Sequence, residues 1–319
     1  MERKFIRMKV VEDDIINEQE FLKEFSSRCD AEAFPIVIKI DEAPDLTLLM
    51  LDGQPMHDFI RTHRYAEHIS VETDNLVQQL PGVQIKKWFH PLPFFHFKNA
   101  NTKTKHLGKK FMMFIGSHRW PRFILSEHMH KYHRNQTFLT YWQKHFQTKN
   151  LRKHLSGDRI EEFKAHLPMY VESNETIQKH QNGYIDYEDT NALEEFYHQS
   201  FLDLVCETWH MGDTFLPTEK IARPLSLKNP FIVYGSKYFL KNLKRLGFKT
   251  FGDYWSEDYD RYEGIERINM IKTQIDLISK QSFDELQVML GNMDHVLEHN
   301  HKLYQKITLD AINTEFCCG

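Results

Sequence analysis

Short apolar runs separated by polar connections organise the first third of the chain. "FPIVIKI" (34–40) and "LTLLMLDG" (46–53) are rich in β-branched or large aliphatic residues and close on an acid or a turn residue, a pattern that predicts buried strands. From Lys98 to Lys110, "KNANTKTKHLGKK" loses all hydrophobic periodicity and reads as an exposed connection, which places a domain boundary there, between residues 1–105 and 106–319. Beyond it the periods alternate. "FMMFIGS" predicts a strand ending at Gly116, "PRFILSEHMHKYH" a helix with Pro121 in its first turn, and "QTFLTYW" a second strand. A charged, mostly helical segment covers about 150–180, and "NALEEFYHQSFLDLVCET" runs from helix into a strand that ends near Glu207. In "SKYFLKNLKRLGF", Phe239, Leu243 and Leu246 share one helical face and Gly247 stands where a left-handed cap is wanted. Helical periodicity then continues to near the end. Alternating strands and helices predict an α/β architecture with mainly parallel sheets.

Composition narrows the function classes. Acidic residues outnumber basic ones by 45 to 41, which argues against nucleic acid as the partner of the whole surface. Cys29, Cys206, Cys317 and Cys318 show neither metal-ligand nor redox spacing, so a reducing compartment is expected. The N-terminal residues lack the apolar stretch of a signal peptide, and no window approaches the roughly 20 apolar residues of a membrane span. The expectation is a soluble, cytoplasmic protein without a transmembrane segment.

Candidate chemistry lies where strands should hand over to helices, because helix N-termini beyond strand ends offer free N–H groups to anions. At the first such turn, Gly116 permits close backbone approach, Ser117 can donate to a phosphate oxygen, and Arg119 and Arg122 supply cations. The second is "TFLPTEKIARPLSLKNPFIVYGS" (214–236). Thr218 fits an N-cap, Glu219 and Lys220 fill the first turn, and Pro224 bends or ends the helix soon after. An acid in a first turn complements the helix dipole, whereas a lysine there opposes it and makes better sense beside an anion.

The segment "SFLDLVCETWHMGDTFLPTEKIARPLSLKNPFIVYGSKYFLKNLKRLGFKTF" resembles the donor-binding part of GT-B glycosyltransferases, particularly the fucosyltransferase and exostosin-like families, and "GSHRWPR" is similar to their Arg-bearing turn. The resemblance covers about 108–260. It implies two Rossmann-like domains facing across a cleft, with 1–105 on the acceptor side and 106–319 binding a GDP- or UDP-linked sugar. It also implies inverting transfer to a glycan or other hydroxyl acceptor, with no metal and no further cofactor. By motif position, Arg119 or Arg122 and Lys220 meet the diphosphate and Glu219 meets hydroxyls, while Ser117, Glu207 and Thr218 complete the donor subsite. The base that takes the acceptor proton is expected among the N-terminal acids Asp41 and Asp52 or His57, with Asp52 favoured for its place after an apolar run.

Other signals are weighed against this. His128, His130 and His133 stand at i, i+2 and i+5, which do not share one helical face, so a metal site is not expected of them. Asp258 and Asp260 read as a surface turn. The aromatic run from Trp88 to Phe97 suits either an acceptor groove or domain packing. Two other function classes stay open: a noncatalytic GT-B-like scaffold that recognises a glycan or protein, and a metal-dependent phosphate-ester hydrolase built on the histidine-rich helix.

Overall fold

The computed structural model describes residues 5–11, 14–31, 33–40, 45–80, 82–87, 105–171 and 190–317. The chain divides into two compact units, 1–90 with 209–216 and 91–208 with 217–319. Much of the polar connection expected at 98–110, and the aromatic run 88–97, lie outside the described residues.

In unit 1 the chain runs through β1 (Phe5–Met8), the short hairpin β2 (Val10–Val11) and β3 (Asp14–Ile15), and helix α1 (Glu18–Asp30). It continues through β4 (Ile36–Ile40), a second hairpin of β5 (Met50–Leu51) and β6 (Gln54–Pro55), α2 (Met56–Thr62), β7 (Ile69–Thr73) and β8 (Gln84–Lys87). Strands β1, β4, β7 and β8 form a parallel sheet in that order. Edge strand β1 alternates exposed and buried residues, while the interior strand β4 buries almost every side chain, as its run of isoleucine and valine predicts. Phe21 and Phe25 of α1 pack with Ile6, Ile38 and Val71 of the sheet to form the core.

"LTLLMLDG" is corrected by the structure. It is not a strand of the parallel sheet: Asp45 closes a local turn by accepting hydrogen bonds from Thr47 N (2.9 Å) and Thr47 Oγ1 (2.7 Å), and only Met50–Leu51 pairs, in a hairpin. Asp52 and Gly53 have φ of 51° and 71°, the two-residue turn with left-handed backbone at both positions that Asp-Gly favours. Leu46, Leu49 and Leu51 are still fully buried, so the hydrophobic content was read correctly and its period was not.

Residues 209–216 belong to unit 1 and are held there by hydrogen bonds between side chains and the backbone. Asn75 Nδ2 donates to Asp213 O (2.8 Å), Phe215 N donates to Asn75 Oδ1 (3.1 Å), and Asp213 N donates to Asp45 Oδ2 (2.7 Å). Gly212, at φ +67°, has the Asp45 side chain where a Cβ would sit.

Unit 2 contains β9 (Lys109–Ile115), α3 (Trp120–His133), β10 (Thr137–Tyr141), α4 (Gly157–Lys164), α5 (Thr190–Gln199) and β11 (Ser200–Cys206). It ends with α6 (Glu219–Ser226), β12 (Phe231–Tyr234), α7 (Phe239–Arg245), α8 (Gly264–Ile278) and the long α9 (Phe283–Cys317). All four strands are parallel, in the order β10-β9-β11-β12. After β9 the chain moves outward to β10, then crosses back to lay β11 on the other side of β9. The order therefore reverses between β9 and β11, and in open parallel sheets ligands bind beyond the strand ends at such a point. Every residue of β11 is buried, and α8 packs on α3 while α9 packs on α6.

The Asp258–Arg261 turn also departs from expectation. Asp260 is buried, accepting from Leu240 N (2.9 Å) and Lys241 N (3.1 Å) at the start of α7 and from Arg267 Nη2 (3.3 Å). It caps a helix and neutralises a core arginine, a role set by contacts with α8 that its neighbours in sequence do not reveal. Among the described residues no helix is long and apolar enough to cross a membrane.

Candidate functional site

Strand β9 ends at Ile115, and the following turn, opened by Gly116, carries Ser117, His118 and Arg119 into α3. On the adjacent strand, β11 ends in Cys206 and delivers Glu207 and Thr208. Arg122, in the first turn of α3, joins the two. Its Nη1 donates to Ser117 O (3.1 Å) and Ser117 Oγ (2.7 Å), and its Nη2 donates to Cys206 O (3.1 Å) and Thr208 Oγ1 (3.3 Å). The guanidinium thus spans the two strand ends at the point where the sheet order reverses.

What sets Arg122 apart is its charge balance. The residue is only 3% exposed, yet all four of those acceptors are neutral, and among the described residues no carboxylate lies within ion-pair distance of it. Its Nε is buried without a hydrogen-bond partner among the described residues. A buried cation without a counter-ion is costly, several kcal/mol per ion even after relaxation, unless an anion joins it. Burial accordingly lowers its pKa, with the charge of Glu207 among the opposing influences.

Glu207 commits its own carboxylate elsewhere. It accepts from Thr218 N (3.3 Å) and Thr218 Oγ1 (2.5 Å), and thereby fixes the start of α6 against the end of β11. Thr218 is the N-cap anticipated from sequence: its Oγ1 accepts from Lys220 N (3.3 Å). Lys220 Nζ also reaches Thr218 Oγ1 (3.3 Å) and pairs with Glu219 Oε1 at 2.7 Å. Burial alone would raise the Glu219 pKa, but Lys220 and Arg223 outweigh it and hold the carboxyl down to about 2. Burial raises Glu207 in turn, and the charge of Lys220 opposes that rise. Lys220 therefore has a counter-ion inside the protein, and the charge still requiring one belongs to Arg122. The resemblance assigns the diphosphate to Arg119 or Arg122 together with Lys220, and Arg122 is the most deeply buried of these three cations.

Arg119 is the N-cap of α3, half-buried, with Nη1 donating to His118 O (2.9 Å). Between Ser117 and Arg119 the turn carries His118. Its backbone N–H donates to Gln143 Oε1, its Nδ1 lies 2.6 Å from Tyr141 Oη, and its ring stacks on Phe146 at 3.9 Å between centroids. Burial, followed by the charges of Arg119 and Arg122, lowers its pKa to about 4. It is a neutral imidazole beside two guanidiniums. Because the folded pKa lies below the unfolded value near 6.5, the native state binds fewer protons between pH 4 and 6.5, and stability falls as pH falls through that window. Between pH 7 and 4.5, wild type is expected to lose roughly 2 kcal/mol more than His118→Gln in paired urea titrations. Parallel profiles for the two proteins would contradict this.

The structure thus brings Ser117, Arg119, Arg122, Glu207, Thr218, Glu219 and Lys220 to one end of the unit 2 sheet. The candidates for a base belong to unit 1. Asp52 is exposed at the hairpin tip, where the turn accounts for its identity, and its N–H donates to Glu18 Oε1 (2.6 Å). His57 lies in the first turn of α2 with Nε2 3.7 Å from Asp58 Oδ1, and its Nδ1 is buried without a partner among the described residues. Asp41 lies outside the described residues.

No protein-family model matches the chain, and neither the search of curated proteins nor that of solved structures returned a match. The fold and the site define unit 2 as a parallel α/β unit with a cationic strand-end site.

Proposed function

We propose that unit 2 binds the diphosphate of a GDP- or UDP-linked sugar at the β9/β11 strand ends, and that the chain is a GT-B-type glycosyltransferase similar to the fucosyltransferase and exostosin-like enzymes. The observation that carries this reading is the buried Arg122 guanidinium without a carboxylate partner, placed at the reversal point of a parallel sheet. A diphosphate would supply the missing negative charge. Arg119 and Lys220 would then stabilise the charge that develops on the departing nucleotide, which allows transfer without a metal. Glu219, held ionised, would accept from ribose or sugar hydroxyls. Ser117 and Thr218 set the backbone geometry, and Glu207 positions Thr218. The two-domain arrangement and an acceptor base from unit 1, Asp52 or His57, belong to this proposal, as do inversion of stereochemistry and a cytoplasmic setting.

Lys220→Ala is expected to weaken binding of a GDP- or UDP-linked sugar by about 10- to 100-fold, the worth of one charge-assisted hydrogen bond, in titration calorimetry with chelator present. Lys220→Arg should retain part of the affinity. Unchanged affinity in Lys220→Ala would sink the assignment of that residue.

A second reading, a noncatalytic scaffold that keeps the anion site, draws on the exposed Asp52, whose identity the turn already explains. The combined variant Asp52→Asn, His57→Gln separates the two readings. An enzyme would lose transfer with donor affinity intact, whereas a scaffold would show no transfer to lose.

A further inference from the structure

The histidine-rich helix behaves differently from its sequence spacing. Positions five apart stand about 140° apart around an ideal helix, so His128 and His133 are not expected to meet. His133, however, is the last residue of α3, and its φ of −132° and ψ of 15° have already left the helical region. Its imidazole swings back toward His128, with the ring centroids 5.2 Å apart, and α8 supplies a third group between them. His128 Nε2 lies 2.9 Å and His133 Nε2 2.7 Å from the same oxygen, Oδ1 of Asp276. The three donor atoms all lie within 4.8 Å of one another. His130 faces away, toward Phe163 and His166.

We propose that His128, His133 and Asp276 form a binding site for a first-row transition dication such as Zn²⁺, Co²⁺ or Ni²⁺, clamping α3 to α8. Two imidazoles and one carboxylate are the donor set such ions favour, and three protein ligands leave a position for water. The two histidine side chains are 9% and 8% exposed and are held by neighbouring rings, His133 against Phe111 and His128 against Tyr132. Asp276 is 46% exposed, so the third ligand faces solvent and gives an ion a way in. Metal–donor distances near 2.0–2.1 Å require donors roughly 3.3 Å apart. The half-exposed carboxylate therefore has to withdraw by about half an ångström from its present hydrogen bonds, and the two imidazole nitrogens, now within 4.8 Å of each other, have to come to the same spacing. Coordination requires the Nδ1–H tautomer of both imidazoles, so that each Nε2 presents its lone pair to the ion in place of the hydrogen bond to Oδ1.

The surrounding charges are mixed. Glu127 is buried and held in a bidentate pair by Arg159, with contacts of 2.6–3.0 Å. Lys272, one turn before Asp276 on α8, lies close enough for its charge to act on both His128 and Glu127. Its ammonium is the group that opposes a dication. The site lies at the end of α3 away from Arg122, about eleven residues or roughly 16 Å along the helix from the anion site, and it does not rest on the reading of that site.

The test is titration of the full chain with Co²⁺, read by visible absorption and by thermal shift. One equivalent should bind with the d–d bands of nitrogen and oxygen ligation, without the intense near-ultraviolet absorption that cysteine thiolates would add, and should raise Tm. His133→Gln and Asp276→Asn should each weaken binding at least about 100-fold, and Lys272→Gln should tighten it. His128→Gln is the second ligand variant if one of these fails to fold. No spectral change in the wild type would overturn the site and leave the triad as a hydrogen-bonded latch between helices. Binding that survives in the ligand variants would overturn it equally, by placing the ion elsewhere.

Discussion

Arg122→Met is expected to abolish stabilisation by a nucleoside diphosphate while leaving the unliganded protein within about 1 kcal/mol of wild type. The two halves of this result come from one feature. Without a ligand, the Arg122 guanidinium is buried among neutral acceptors, and the gain from those hydrogen bonds is set against the cost of desolvating a charge that has no counter-ion. Methionine relieves the desolvation and fills much of the space, Ser117 and Thr208 can redirect their hydroxyls, and this relief is set against the hydrogen bonds lost at Ser117 O and Cys206 O. With a diphosphate bound, the same guanidinium becomes one member of a buried ion pair, and its removal leaves phosphate charge uncompensated. Truncating one partner of such a pair costs about 2–5 kcal/mol, so affinity should fall by about 30-fold or more. Titration calorimetry measures the second half and urea denaturation the first. A variant destabilised by several kcal/mol without ligand would mean that Arg122 is a structural tie between strand ends.

Arg267→Met makes the opposite case. Arg267 is also completely buried, but it has a counter-ion: Nη2 lies 3.3 Å from Asp260 Oδ1 and 3.2 Å from Val233 O, and Nη1 donates to Ser236 O at 2.8 Å. It ties the end of β12 to α8 and to the aspartate that caps α7. Removing it takes a partner from a buried carboxylate and from three carbonyls, a loss of about 3–5 kcal/mol. Arg267→Lys should recover little, because one ammonium cannot reproduce the planar fork that reaches four acceptors, Tyr262 O (3.5 Å) being the fourth. The midpoint of guanidinium denaturation followed by far-ultraviolet circular dichroism should fall with an unchanged slope. A loss below about 1 kcal/mol would contradict the network. Two fully interior arginines in one unit are thus distinguished by a single criterion, the presence of an acid in reach.

The residues that could be placed from sequence were those whose cause is local. Thr218 as an N-cap, Pro121 in the first turn of α3 and Gly247 at a left-handed cap (φ 94°) each follow from backbone chemistry within a few residues. Strands β4, β9 and β11 were legible because buried parallel strands are nearly continuous apolar runs. "LTLLMLDG" failed the same test because Asp45 and the Asp-Gly pair impose turns at either end of an equally apolar run. The features that escaped depend on contacts distant in sequence. Arg119 and Arg122 look equivalent in "GSHRWPR", and only the arrival of β11, 84 residues later at Cys206, buries one of them. Asp276 lies 143 and 148 residues from the two histidines it joins. His118 was visible in the motif, yet its neutrality comes from Tyr141, Phe146 and the two arginines packed around it.

On the proposed reading, an anion at the β9/β11 strand ends balances the charge of Arg122. The most direct measurement is a thermal-shift panel of inorganic pyrophosphate, GDP, UDP, ADP and CMP, with and without chelator, on wild type and Arg122→Met. Ligands that bind only the native state raise its apparent stability, by about 2.7 kcal/mol at one hundred times Kd. The account predicts a chelator-insensitive rise with the diphosphates, greatest for GDP or UDP, little with CMP, and none with any of them in Arg122→Met. Equal shifts in the two proteins, or no shift in the wild type at millimolar ligand, would contradict it.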